Sequence, residues 1–289
     1  MTIGQVYTFL LTELKAKFAY EEAKVMVVSL LEHHLQLTKA RIMLQFSTEV
    51  PDNSLPPLAK AMDDLLNHKP LQYVLGKAWF HDAEFIVNQH VLIPRPETEL
   101  MVDSIINELK AITPDINFPL RILDIGTGSG CIAVTLKNHF PDYMVYAMDF
   151  SEEALQVARQ NAINNRADVV FYNADILVEE TLEGLPSFDI IVSNPPYVLE
   201  KEKALMAPNV LNYEPKDALF VPDNDPLLYY RAIAHFASSS LRSQGYIYLE
   251  VNENYAEEVK SLYLEHQFTH VQVLKDLSGK DRFVQCQSN

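Results

Sequence analysis

From Arg121 to the C-terminus, short β-branched runs alternate with stretches of helical periodicity, and few architectures accommodate that order. The pattern predicts strands over 121–125, 144–148, 169–172, 189–193, 246–251, 270–275 and 282–286. Helices are expected over 131–140, 152–164, 227–241 and 255–267. Alternation of this kind implies an α/β fold, a mostly parallel sheet covered by helices on both faces. Ligands of such open sheets bind beyond the carboxyl ends of the strands, so the residues that follow each predicted strand carry the functional argument.

The run Phe188 to Val192 ends in Ser193-Asn194-Pro195-Pro196-Tyr197. Proline cannot donate to a sheet ladder and its φ is fixed, so the strand stops there in a stiff turn. The Asn194 side-chain oxygen and the Pro195 carbonyl can both accept hydrogen bonds from one NH2 group, while Tyr197 offers a flat face to a planar group. Two acceptors on one nitrogen fix its orientation and leave its lone pair directed at an electrophile in the facing pocket. Asn194, Pro195 and Tyr197 are therefore candidate catalytic residues, and Asn194, Pro195, Pro196 and Tyr197 a candidate substrate clamp. The plainer alternative is a strand-terminating turn in which Asn194 satisfies local backbone groups.

Gly126-Thr127-Gly128-Ser129-Gly130 lies between the first predicted strand and helix. Glycines at alternate positions let the backbone turn sharply and approach a ligand closely. A dinucleotide fingerprint needs a small residue where Cys131 stands, which argues against NAD. Asp149 ends the second strand roughly twenty residues later, the place of a carboxylate that grips ribose hydroxyls. After the third strand, Asp175 can accept from an adenine amino group and Ile176 can pack on the base. Asp124, at the foot of the loop, either anchors a ligand ammonium or caps backbone amides. A ligand with ammonium, ribose and adenine, facing a clamp for a neutral NH2 group, matches S-adenosyl-L-methionine as methyl donor, with S-adenosyl-L-homocysteine as product. No metal is required.

The remaining sequence bounds the setting. Its 289 residues suggest two domains. Residues 1–75 show helical spacing (Val6, Leu10, Leu14; then Tyr20 to Leu37; then Pro57 to Leu66) and are expected to form a helical bundle for substrate docking. Residues 76–96, with Ala78 to His81 and Glu84 to Val87, predict a β-hairpin linker, and 97–289 the catalytic domain. Thr98 is expected to cap a helix that begins near Glu99, and Arg95 and Glu97 to form an exposed ion pair. His33 and His34 are adjacent and so point to different helix faces, which speaks against a metal. Cys131 and Cys286 belong to no ligand pattern, and no apolar run reaches membrane-spanning length, so a reducing cytoplasm is expected. The net charge of −16 falls almost entirely after residue 96. Such a surface repels phosphate backbones, so a protein partner is expected and direct nucleic-acid binding is not.

Several stretches together resemble the protein-(glutamine-N5) methyltransferases of peptide chain release factors, the HemK/PrmC family within the class I S-adenosylmethionine-dependent methyltransferases. They are Gln72 to Gly76, Ile93 to Glu99, Asp124 to Gly130, Asn194 to Tyr197, Glu214-Pro215 with Ala218-Leu219, and Asp276 through Arg282. The resemblance implies a helical N-terminal domain, a hairpin linker and a seven-stranded Rossmann-like methyltransferase sheet whose last strand is antiparallel. It implies as substrate the glutamine in the Gly-Gly-Gln loop of release factors. By position, Gly126 to Gly130, Asp149, Ile176 and Asn194 correspond to cofactor contacts, and Asn194 to Tyr197 to the glutamine clamp. The family often has glycines near the segment Val221 to Leu227, and Glu-Ile-Gly followed by Gln after the fifth strand; this chain has Val221-Pro222-Asp223-Asn224-Asp225 and Glu250-Val251-Asn252-Glu253-Asn254 instead, and altered loops at the cleft edge are expected. Rival readings are an amino methyltransferase of DNA adenine or RNA guanine, a non-catalytic binding module on the same fold, and an NAD oxidoreductase. The acidic surface, the intact clamp and the missing hydride-transfer acid or base speak against each in turn.

Overall fold

The computed structural model describes residues 1–112 and 119–289, and these divide into two compact units. One comprises Met1–Gly76 together with Ala207–Tyr213. Its helices are α1 (Ile3–Leu14), α2 (Tyr20–Leu35), α3 (Lys39–Leu44), α4 (Leu55–Leu66) and α5 (Leu71–Leu75). Thr2 and Gln5 form a capping box that starts α1, and prolines occupy the first turn of α4, where a missing N–H costs nothing. The expected periodicity becomes a core in which Leu14, Val27, Leu30, Leu31 and Leu65 are fully buried. α3 and α5 are too short to show a repeat in sequence, which is why they were not expected. The Tyr213 hydroxyl donates to the carbonyl of Asn67 at 2.8 Å, within this unit.

The second unit begins with an antiparallel hairpin, β1 (Lys77–Phe80) and β2 (Ala83–Ile86), followed by α6 (Pro96–Ile112). Then come β3 (Arg121–Ile125), α7 (Cys131–His139), β4 (Met144–Asp149), α8 (Glu152–Asn164), β5 (Val169–Asn173) and β6 (Phe188–Ser193). A small parallel pair, β7 (Val198–Leu199) and β8 (Phe220–Val221), stands in sequence on either side of α9 (Pro208–Tyr213), which belongs to the first unit. α10 (Leu228–Ser240), β9 (Leu241–Glu250), α11 (Ala256–Glu265), β10 (Thr269–Lys275) and β11 (Asp281–Gln287) complete the chain. Seven strands form one sheet in the order β10-β11-β9-β6-β3-β4-β5. Within it β11 runs antiparallel to both neighbours, as the family resemblance implies.

The central strands are apolar on both faces because both faces are covered. On one side Ile122, Val145 and Val192 pack with Val102 and Ile105 of α6 and Ala133 of α7. On the other, Leu123, Ile191 and Ile247 pack with Ile233 of α10 and Val259 of α11. β9 starts five residues earlier than its apolar run suggests, through the polar stretch Arg242 to Gly245, where the register with β6 shifts. The parallel register sets Ile125 against Met148 and Ser193, and Asp149 against Asn173. The carboxyl ends of β3, β4, β5 and β6 thus share one edge. β3 is the switch point, with β4 on one side and β6 on the other.

One buried side chain ties the hairpin to that edge. Asn161 of α8 accepts from the Ile86 N–H at 2.7 Å and donates to the carbonyls of Ile86 and Ser129, both at 2.9 Å. Replacing it with leucine orphans these backbone groups, and each unpaired buried group costs about 1–3 kcal/mol. Asn161→Leu is expected to lower stability by about 2–4 kcal/mol in urea titration; an unshifted midpoint would show that the three bonds contribute nothing.

Candidate active site

A cavity of about 420 Å³ opens at the shared edge of β3 to β6. Its floor is the turn after β3, where Gly126 and Thr127 donate their N–H groups to the Met148 carbonyl at 2.9 and 3.0 Å. Gly128 has φ of +54°, a left-handed conformation that disfavours any side chain, and its N–H points to Asp149 at 2.9 Å. Gly130 has a second reason to be glycine: a Cβ there would lie 3.1 Å from the Cβ of Ala158, so its absence lets α7 pack on α8.

Asp149 enters the cavity at the end of β4 with each oxygen already engaged once, Oδ2 by Gly128 N–H and Oδ1 by Ser151 N–H. Burial raises its carboxyl above the ordinary range, and the N–H groups of Gly128, Ser151 and Phe150 oppose the rise. A carboxylate accepts about four hydrogen bonds, so capacity remains for a pair of hydroxyls. Beside it lie half-exposed Phe150, then Asp175 and Ile176 from the turn after β5. Asp175 Oδ1 accepts from the Leu177 N–H at 2.9 Å, an Asx turn that leaves Oδ2 uncommitted by that bond. A bare-backbone floor, a half-engaged acid, a flat ring and a second acid suit the ribose and adenine of a nucleoside; the residues present fit such a ligand.

Asp124 does not line the cavity. It lies fully buried under the floor, where its Oδ2 accepts from the Thr127 hydroxyl at 2.6 Å. Burial pushes its carboxyl up to about 7, against the opposing Thr127 hydroxyl and the Ala133 N–H. Of the two uses expected for this residue, holding the loop from beneath is the one the contacts display.

Opposite the floor stands the Asn-Pro-Pro-Tyr turn. The Ser193 hydroxyl donates to the Ile125 carbonyl at 2.7 Å and locks the end of β6 to β3. Asn194 Nδ2 donates to Thr98 Oγ1 at 3.0 Å, and Thr98 donates in turn to Glu250 Oε2 at 2.7 Å. Tyr197 donates to Glu250 Oε1 at 2.9 Å, and Asn252 Nδ2 supports the Tyr197 carbonyl at 3.2 Å. Asn252 lies in one of the two stretches where the chain departs from the resembled pattern, and its side chain adds a hold on the Tyr197 backbone. Burial raises the Glu250 carboxyl, with the Thr98 and Tyr197 hydroxyls and Arg282 acting against it. Burial and the Glu250 charge raise Tyr197 as well, so it stays a phenol and is no base.

Gly126, Thr127, Gly128, Ser129, Asp149, Asp175, Ile176, Asn194, Pro195 and Pro196 therefore meet around one cavity. Gly130 and Tyr197 are placed outside its lining, the first in helix packing and the second with its ring against the core beneath the sheet. Thr98 is not a cap, because α6 already starts at Pro96, and it serves the clamp instead. Arg95 pairs with buried Glu214 at 2.5 Å rather than with Glu97, and Glu214 also accepts from the Ile93 N–H, which ties the proline elbow to the cavity rim. Thr98, Glu250 and Glu214 were missed because their partners lie between 53 and 152 residues away in sequence. Glu214 and Thr98 do fall within the stretches quoted for the resemblance, the one signal that could have flagged them. Among the described residues no group of His, Cys, Asp and Glu is placed to hold a metal, and no helix is long and apolar enough to cross a membrane.

The PrmC N-terminal domain family matches residues 10–76, and the Methyltransferase small domain family matches 104–219. A release factor glutamine methyltransferase of Flavobacterium psychrophilum is 40% identical, with 98% of each chain covered. The protein of that name from Bacteroides thetaiotaomicron is 47% identical over 76% of each. Among solved structures, a methyltransferase from Pyrococcus furiosus superposes with a TM-score of 0.51 at 17% identity, covering 80% of this chain and 99% of that one. A T. thermophilus 16S rRNA N2 G1207 methyltransferase, solved with AdoMet and guanosine, gives 0.50 at 18% identity over 74% of this chain and 50% of its own. These two show the shared fold.

Burial of Asp124 has a measurable sign. Because its folded carboxyl holds its proton up to about 7 while the unfolded one releases it near 3.8, its contribution to stability is lost as pH rises through that window. The stability of the wild-type chain relative to Asp124→Asn is expected to fall between pH 4 and pH 7 and level off above. Parallel stability curves for the two proteins across that range would refute the buried, proton-holding acid.

Proposed function

The chain belongs to the release factor glutamine methyltransferase family, and from that premise we propose that it moves a methyl group from S-adenosyl-L-methionine to the side-chain amide nitrogen (N5) of the glutamine in the Gly-Gly-Gln loop of peptide chain release factors. The observation that carries the reading is the polarity of Asn194. Its Nδ2 is committed to Thr98, which leaves Oδ1, beside the Pro195 carbonyl, to accept from a ligand NH2 group.

In this reading Gly126 to Ser129 support the methionine part of the donor, Asp149 takes the ribose hydroxyls, and Asp175 and Ile176 hold the adenine. The donor supplies a sulfonium methyl: its S–C bond breaks as the N–C bond forms, and S-adenosyl-L-homocysteine and a cationic amide result. The clamp fixes both hydrogens of the amide nitrogen, so the lone pair has one direction left, and alignment of this kind replaces a general base. That suits a site whose Tyr197 remains a phenol. The proton leaves afterwards, from a nitrogen made far more acidic by its positive charge.

The helical unit is the proposed docking surface for the release factor. An acidic chain of net charge −16 accords with a protein acceptor in the cytoplasm rather than direct contact with nucleic acid. The rival nucleic-acid reading needs base extrusion and phosphate contacts, which this charge disfavours.

Labelled S-adenosyl-L-methionine offered with unmodified release factor, a Gly-Gly-Ala version and duplex DNA separates these possibilities. Label is expected on the first alone; label on DNA, or on both release factors equally, removes the glutamine assignment. Asn194→Ala is expected to lower kcat about 100-fold or more with the fold retained. Asp149→Ala should weaken binding of the methyl donor by about tenfold or more in calorimetry, and undiminished affinity would take Asp149 out of the ribose role.

A further inference from the structure

Asn194 could serve the site in two orientations of nearly identical shape. With Nδ2 toward Thr98 the cavity meets a carbonyl oxygen; flipped by half a turn, it would meet an NH2 group and the clamp would select the opposite kind of ligand. Thr98 cannot decide between them alone, because a hydroxyl both donates and accepts. The deciding group has to be one whose polarity is fixed.

Glu250 is that group. It is buried at the end of β9 and does not line the cavity. Both carboxylate oxygens receive a hydroxyl, Oε1 from Tyr197 and Oε2 from Thr98. An ionised carboxylate only accepts, so Thr98 must spend its proton there. Its lone pairs then face Asn194, which must offer Nδ2 at 3.0 Å. Burial raises the Glu250 carboxyl, and the Thr98 and Tyr197 hydroxyls and Arg282 oppose that rise in favour of the ionised form; Arg282 is itself held by Asp276 at 3.3 Å.

We propose that Glu250, acting through Thr98, is a positioning and specificity residue: it fixes the orientation of Asn194 so that the clamp selects an NH2 donor and turns away a carboxylate or carbonyl oxygen. Glutamine and glutamate side chains differ by that one group. A carboxylate in the clamp would set oxygen against two acceptors, and a buried like-polarity contact leaves groups unpaired on both sides. Tyr197, donating to the other oxygen of Glu250, holds the carboxylate in place while remaining outside the cavity wall.

The proposal rests on the glutamine reading above, and its test separates the two. Thr98→Val keeps the side-chain volume and removes the hydroxyl; Thr98→Ser keeps the hydroxyl and removes a methyl. With labelled methyl donor and release factor carrying Gly-Gly-Gln, Thr98→Val is expected to lose about 10- to 100-fold in kcat, whereas Thr98→Ser stays within about threefold of wild type. A mere packing role predicts the reverse order. Affinity for the methyl donor, measured by calorimetry, is expected to stay within about twofold in Thr98→Val; a large loss would mean that Thr98 binds the donor directly and would overturn the relay. Glu250→Gln retains the shape but offers a donor at one end, and full turnover in that variant would remove Glu250 from the role. Wild-type chain that leaves the glutamine loop unlabelled would defeat the substrate reading alone. The relay is then decided by proton exchange of the Asn194 Nδ2 group in nuclear magnetic resonance. Slow exchange in wild type and fast exchange in Thr98→Val supports it, and equal rates overturn it.

Discussion

Parallel pairing of β3 with both β4 and β6 places the glycine turn, Asp149 and the Asn-Pro-Pro-Tyr turn at one edge. Ile125, Met148 and Ser193 lie level across three strands, so the turns that follow them start from one edge. The register is not free to slip, because a shift of one residue would exchange the two apolar faces of each strand, and both are buried under helices. The turns inherit positions set by the cores rather than by contacts of their own. Ser193 adds a local lock, since its buried hydroxyl bonds the Ile125 carbonyl just where β6 gives way to the clamp.

Besides Glu214 at the rim, three buried carboxyl groups around that edge each have a different set of donors. Asp124 has the Thr127 hydroxyl and the Ala133 N–H and lies wholly under the floor; Asp149 has only backbone N–H groups and an open side; Glu250 has two hydroxyls and a nearby guanidinium. Burial disfavours charge in all three, so what distinguishes them is how far their donors compensate it. Asp124, which lies wholly below the cavity, holds its proton up to about pH 7. Asp149 turns its open side toward the cavity, and Glu250 accepts the hydroxyls of Thr98 and Tyr197. Desolvation is concentrated where the structure gains from fixed polarity.

The sheet was legible because its signals are local: β-branched runs, helical spacing between them, and glycine or proline where a strand must end. Asp149, Asp175 and Asn194 follow from position alone, each directly at or after a strand end. Thr98 was not legible, since its place two residues into a proline-started helix reads as a cap while its function depends on Asn194 and Glu250, which lie 96 and 152 residues away. The Arg95 pair failed for the same reason: Glu97 is near in sequence, but Glu214 is buried against the elbow and so has the stronger claim on the guanidinium. Tyr197 shows a different limit. Its residue type suggested a stacking face, yet in this turn the ring joins the core beneath the sheet and only its hydroxyl serves the site.

The prolines explain why the clamp has the polarity it does. Two consecutive prolines remove two N–H donors from the turn and leave their carbonyls, so its backbone is rich in acceptors before any side chain is considered. The side chains move it further in that direction. Ser193 gives its proton to Ile125, Asn194 gives Nδ2 to Thr98, and Tyr197 gives its hydroxyl to Glu250. Each donation is made to a partner within the protein, so none of these hydrogens is left for a ligand. A ligand that brings two hydrogens on one nitrogen completes this arrangement, whereas one that brings only oxygens finds few donors in the turn. Selectivity for an NH2 group is in that sense a consequence of how the strand ends, with Glu250 preventing the one rotation that would undo it.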